Sequence, residues 1–140
     1  MNEQRLLAID FGKKRIGIAV TDPLNIFAYP LTTITNDTKF WDNIAKIILE
    51  YHVVKLIIGF PLKENGDESV SSREVLKFKE ELETKSNLPI VLFDERYSSE
   101  IARQRIIITV PSKKKRRDKS LLDKNAAAVI LEDYLKIKEK

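Results

Sequence analysis

Leu6–Asp22, LLAIDFGKKRIGIAVTD, is the stretch from which the fold is read. Leu6, Leu7, Ala8 and Ile9 form an apolar run that stops on a carboxylate, Asp10. Gly12 follows, then Lys13 and Lys14, and a second apolar run extends from Ile16 to Val20. Two β-rich runs joined by a few polar residues that include a glycine predict a hairpin. That hairpin puts Asp10 where a buried strand emerges from a sheet. A carboxylate there is costly unless cations or donors meet it, so the position marks a candidate site. The plainer reading is a strand-end Asp that starts a turn.

Outward from the hairpin, Ala28–Thr35 reads as a third strand, with Pro30 implying an edge or a bulge. Asn36 and Asp37 can cap the helix that follows, in which Phe40, Trp41, Ile44, Ile47, Ile48 and Tyr51 recur at helical spacing. Val53–Ile58 is continuously apolar except for Lys55, as suits a strand covered on both faces. After the loop from Gly59 to Gly66, Ser69–Ser72 offer caps for a helix carrying Val75, Phe78 and Leu82. Ile90–Phe93 is a further strand, again ending on acids, Asp94 and Glu95. A short helix from Ser98 or Ser99 to Ala102, an ambiguous run Arg105–Val110 and a last helix over Ser120–Lys138 complete the chain. The order predicts an α/β fold, a mixed five-stranded sheet with helices on its faces. No repeat or linker interrupts it, so residues 1–140 read as one domain.

Composition narrows the chemistry. The chain has no cysteine and a single histidine, His52, which excludes thiolate metal sites and leaves little scope for a histidine triad. No apolar run reaches the ~18–20 residues that span a bilayer, and MNEQR lacks a signal-peptide core, so a cytoplasmic protein with no membrane partner is expected. The net charge of +4 is one local feature. Lys113, Lys114, Lys115, Arg116, Arg117 and Lys119 surround Asp118, and without residues 113–119 the chain would carry 19 basic and 20 acidic residues. Such a run grips nucleic-acid phosphate or is a solvated loop, and composition alone does not choose.

Three carboxylates could meet. Asp10 and the Asp94/Glu95 pair end apolar strands, and α/β sheets place ligands at that end. On the last helix Asp123 shares its direction, at 100° per residue, with Ala127, Ile130 and Tyr134, an apolar stripe. Acids without His or Cys favour hard cations, Mg²⁺ or Mn²⁺, and two such ions about 3.5–4 Å apart are a route to phosphodiester hydrolysis.

Asp10-x-Gly12-x-x-Arg15-x-Gly17-x-Ala19-x-x-Asp22 resembles the N-terminal signature of the YqgF family of the RNase H-like superfamily. Gly59-Phe60-Pro61-Leu62 with Gly66 resembles its GLP-type loop, with Phe60 where Leu is usual. Asp94-Glu95-Arg96-Tyr97-Ser98-Ser99 resembles its DER motif, and Asp123-x-x-Ala126-Ala127 its C-terminal helix. Members are described as Holliday-junction resolvases and as nucleases that mature the 5′ end of pre-16S rRNA. The resemblance implies an RNase H-like fold and metal-binding, catalytic roles for Asp10, Glu95 and Asp123. It also implies phosphate-facing roles for Arg15 and Arg96, and a substrate loop at Lys113, Lys114, Lys115, Arg116 and Arg117. The partner is then nucleic acid, pre-16S rRNA or branched DNA, with the oligomeric state open between monomer and weak dimer. Two other readings stand beside it. An ATPase of the actin or sugar-kinase kind also has a DxG hairpin but needs a second domain, and a non-catalytic nucleic-acid-binding module would use the acids only as caps.

Overall fold

The computed structural model describes residues 4–63, 65–94 and 119–138. Five strands, β1 (Arg5–Asp10), β2 (Arg15–Thr21), β3 (Ala28–Thr35), β4 (Val53–Phe60) and β5 (Ile90–Asp94), form one sheet in the order β3-β2-β1-β4-β5. β1, β2 and β3 pair antiparallel, whereas β1–β4 and β4–β5 are parallel, so the sheet is mixed as expected. The helices are α1 (Phe40–Glu50), α2 (Val70–Lys85) and α3 (Lys119–Lys138).

Alternation along the strands divides the core into two layers. Leu7, Ile9, Ile16, Ile18, Leu56 and Ile58 face α1 and α2, where Phe40, Ile44, Val75, Phe78 and Leu82 meet them. Leu6, Ala8, Ala19, Ile57 and Phe93 face α3 and pack on Ala127, Ile130, Leu131 and Leu135. Helices therefore cover both faces. β1 and β4 lie inside the sheet, which is why both read as nearly continuous apolar runs.

Pro30 satisfies both expectations made of it. β3 is an edge strand, and its register with β2 slips between Ile18 and Ala19, Ala19 pairing with Pro30 itself. The cap of α1 differs from expectation. Its N-cap is Lys39 without a side-chain cap bond. Asp37 Oδ1 accepts the N–H of Lys39 itself at 2.9 Å, ahead of the helix, and Asn36 Nδ2 donates to the Gly12 carbonyl at 2.9 Å. At α2 the serine cluster does cap. Ser69 Oγ accepts the Ser72 N–H at 3.1 Å while Ser72 Oγ accepts the Ser69 N–H at 2.7 Å, a reciprocal box. The predicted short helix near Ser98–Ala102 and the run Arg105–Val110 lie outside the described residues.

The far end of the hairpin is locked by polar contacts. Thr21 Oγ1 accepts the Leu6 N–H at 2.9 Å, and Asn25 Nδ2 donates to the Gln4 carbonyl at 2.8 Å. Asp22, part of the N-terminal signature, closes the turn to β3: its Oδ1 accepts from the Ile26 and Phe27 N–H groups at 2.7 and 2.6 Å, its Oδ2 from Leu24 at 3.0 Å. Burial pulls the Asp22 carboxyl up, but the backbone donors of Phe27, Ile26 and Leu24 together outweigh it and hold the group below its ordinary value. This acid is a turn residue at the end of the hairpin away from Asp10.

Candidate active site at the carboxyl ends of the strands

Asp10 is half-buried at the end of β1. Leu6 and Ala8 project toward α3, so alternation sends Asp10 to that same side. In the antiparallel ladder Asp10 pairs with Gly17. On the other flank Ile9 pairs with Ile58, which brings Gly59 level with Asp10. Gly17 and Gly59 fall on the α3 side by the same alternation, between Ala19 and Ile57 and their respective strand ends. The carboxylate thus stands level with a glycine on each adjacent strand, so neither directly paired position carries a side chain. Glycines at both paired positions allow a close approach to that strand end.

The turn beyond Asp10 is held closely. A Cβ built at Gly12 would lie 2.4 Å from the Arg15 carbonyl oxygen, so only glycine lets the chain reverse there. Lys13 Nζ reaches Glu74 Oε1 of α2 at 3.2 Å and pins the turn to that helix. A cleft of about 190 Å³ runs over the ends of β1 and β4, lined by Asp10, Gly12, Lys13, Gly59, Pro61 and Glu74. The loop after β4 is fixed by Ser69 Oγ, which donates to the Pro61 carbonyl at 3.1 Å. Gly66, at φ 91°, makes the turn that returns the chain to α2.

Arg15 starts β2 two residues before Gly17 and therefore shares Asp10's side of the sheet. Asp94 does not. It ends β5 in register with Phe60, and alternation places it with Ile90 and Leu92 on the α1–α2 side, whereas Phe93 faces α3. β1 and β5 are also not direct neighbours, because β4 runs between them. The two strand ends are about 10 Å apart at the usual strand spacing.

Asp123 lies in the first turns of α3, four residues before the fully buried Ala127. Glu95, Arg96, Lys113, Lys114, Lys115, Arg116 and Arg117 lie outside the described residues, as does the side chain of Asp123. Among the described residues no three acids or histidines are gathered as a metal site. The described part of the predicted site is Asp10 with its glycines and Arg15. The flanking of Asp10 by Gly17 and Gly59 was missed in the sequence, where the signal was present as two glycines at β-alternating positions but the pairing partner of Gly59 was unknown.

The model of the RuvX family, described as Holliday junction resolvase, matches residues 4–137. A protein of Phocaeicola vulgatus named "Putative pre-16S rRNA nuclease" is 39% identical over 136 residues, 96% of this chain and 97% of that protein. One of the same name from Desulforamulus reducens is 41% identical over 133 residues, 94% of this chain and 96% of that one. Among solved structures, Thermus thermophilus RuvC in complex with a Holliday junction substrate superposes with a TM-score of 0.62 at 12% identity, over 96% of both chains. The fowlpox virus resolvase with Holliday junction DNA gives 0.53 at 13% identity, over 98% of this chain and 100% of that one. At such identities these two establish the shared RNase H-like fold.

Proposed function

The chain belongs to the RuvX (YqgF) family, and we propose that it is a single-domain, divalent-metal nuclease that trims the 5′ end of pre-16S rRNA. The observation that supports this reading is the register that sets Asp10 level with Gly17 and Gly59 at the carboxyl end of the central strand. The donor set fits a hard cation, since the candidate ligands Asp10, Glu95 and Asp123 offer only oxygen and the chain has no cysteine. Two Mg²⁺ or Mn²⁺ ions bound there would supply an activated water and neutralise charge at the leaving oxygen. Asp10 orients that site from the sheet. Arg15, on the same side, takes a phosphate oxygen of the strand, a task shared with Arg96. Lys113, Lys114, Lys115, Arg116 and Arg117 draw the polyanion in. An rRNA precursor as substrate sets this work in the cytoplasm, and among the described residues no helix is long and apolar enough to cross a membrane.

The names of the relatives favour rRNA, and the description of the family favours branched DNA. The deciding experiment offers purified protein with Mg²⁺ or Mn²⁺ a 5′-extended pre-16S rRNA and a four-way junction, beside Asp10→Asn. Trimming of the RNA, an intact junction and an inactive variant are expected. Cleavage of the junction alone would make it a resolvase, and cleavage of neither would leave a binding module.

A further inference from the structure

Next to the Asp10 cleft lies a second one, of about 490 Å³, between the β1–β2 turn, the start of α1 and α2. The two share Phe11, Lys13 and Glu74, so they form one depression folded over the end of β1. The second cleft is aromatic within. Phe11 and Trp41 are half-buried on its walls, over buried Phe40 and Phe78. Phe11 lies 4.7 Å from the Phe78 ring centre, and Trp41 stacks on Phe78 at 5.7 Å and 19°. The rim sets Asp37, Glu74 and Glu81 against Lys13 and Lys77. A phosphate gains nothing from that balance. A neutral planar ring with exocyclic N–H donors gains both stacking and acceptors.

We propose that this cleft takes an unpaired nucleobase of the strand being cleaved. The inference rests on the nuclease reading, because it uses Asp10 to locate the backbone. Phe11 follows Asp10 directly and projects to the opposite face, packing on Phe78. A strand laid along the cleft that Asp10 lines can therefore drop the base of an adjacent nucleotide over the strand end into the aromatic cleft. A base kept in a duplex stack cannot enter, so the site selects unpaired strand at the cleavage point.

Trp41 is the single tryptophan in the sequence and borders this cleft and another beside Lys85, and Phe11, which lines only the first, tells the two apart. With EDTA present to prevent cleavage, emission is followed as three ligands of equal length are added: an unpaired RNA oligonucleotide, an abasic sugar–phosphate strand and a duplex. The unpaired strand should quench Trp41 and bind about 5- to 150-fold more tightly than the abasic strand, which carries the same phosphates. The abasic strand and the duplex should leave emission unchanged. Phe11→Leu, checked for folding by its melting curve, should erase most of the advantage of the unpaired strand. Equal quenching by all three ligands, or none by the unpaired strand, would overturn the proposal. Cleavage is assayed separately with Mn²⁺. Quenching without cleavage would leave the base site standing and remove the nuclease reading, and cleavage without quenching would do the reverse.

Discussion

Asp10 and Asp94 both close parallel strands of one sheet, yet they project from opposite faces of it. Only Asp10 shares the α3 side with Arg15 and with the helix that carries Asp123. With Asp94 on the other face, the acid proposed as ligand is the motif's next residue, Glu95. Changing a residue that merely supports a metal ligand costs about 10–100-fold in activity, so removing a ligand's charge should cost at least that much. Asp10→Asn and Glu95→Gln should each lower metal-dependent cleavage by about a hundredfold or more while melting no earlier than wild type. Asp94→Asn should stay within about tenfold. The check is initial rates on one labelled RNA for the three variants, and an inactive Asp94→Asn would reverse the assignment.

Gly12 carries a sterically determined prediction. Its added methyl would meet the Arg15 carbonyl at 2.4 Å, a backbone atom that cannot swing away. Gly12→Ala must open the β1–β2 turn, and should cost about 1–3 kcal/mol, the usual range for overpacking. The same shift moves Arg15 and Asp10 apart, so activity should fall further than the folded fraction does. Urea titration beside a cleavage assay at a temperature where both proteins are folded measures the two effects. A variant with wild-type midpoint and rate would show that the turn relaxes freely.

Asp22 sets a pH dependence at the other end of the hairpin. Its folded carboxyl is held below the ordinary value of 3.8 by backbone donors that outweigh its burial. The unfolded chain thus binds the proton more readily than the folded one. The stabilisation is fully present above the unfolded value and is lost as pH falls from about 4 through the lowered folded value. Asp22→Asn removes the charge and with it this dependence. Denaturation curves at pH 7 should show wild type the more stable, with the difference shrinking below about pH 4. A gap that stays constant down to pH 2 would mean the charge contributes nothing.

Local patterns in the chain determined much of this architecture. The hairpin, the two-faced apolar run of β4 and the Ser69 box were readable because each depends on residues close in sequence. The serines at 69–72 cap α2 as expected, but Asn36 and Asp37 do not cap α1. Asp37 turns instead to the Lys39 N–H two residues on, and Asn36 to the Gly12 carbonyl, a partner brought within reach only by the folded hairpin. The glycine-flanked setting of Asp10 was hidden for the same reason, since Gly59 is 49 positions away and reaches Asp10 only through the β1–β4 crossover. Asp22 shows the converse. It belongs to the signature by spacing, but the turn it closes gives it a structural role that spacing could not separate from a chemical one.

The run Lys113, Lys114, Lys115, Arg116, Arg117 was evenly balanced between phosphate grip and solvation on composition. Its place in the chain favours grip, because it leads within two residues into α3, the helix that bears Asp123. Cations beside an acidic metal site raise the local concentration of a polyanion and orient its backbone. Each phosphate they neutralise releases counterions and steepens the log–log salt dependence of binding by about 0.7–0.9. Replacing all five with Ser should flatten that slope by up to about 3.5–4.5 and weaken binding alike for unrelated sequences. The affinity for Mn²⁺ should stay unchanged, since Asp10, Glu95 and Asp123 remain. Quenching of Trp41 by a saturating unpaired strand should also persist at low salt, because the aromatic cleft is untouched. The measurement is binding of a labelled RNA across a salt series, wild type beside the fivefold variant. Equal slopes would show the run to be solvated and the phosphate grip to lie elsewhere.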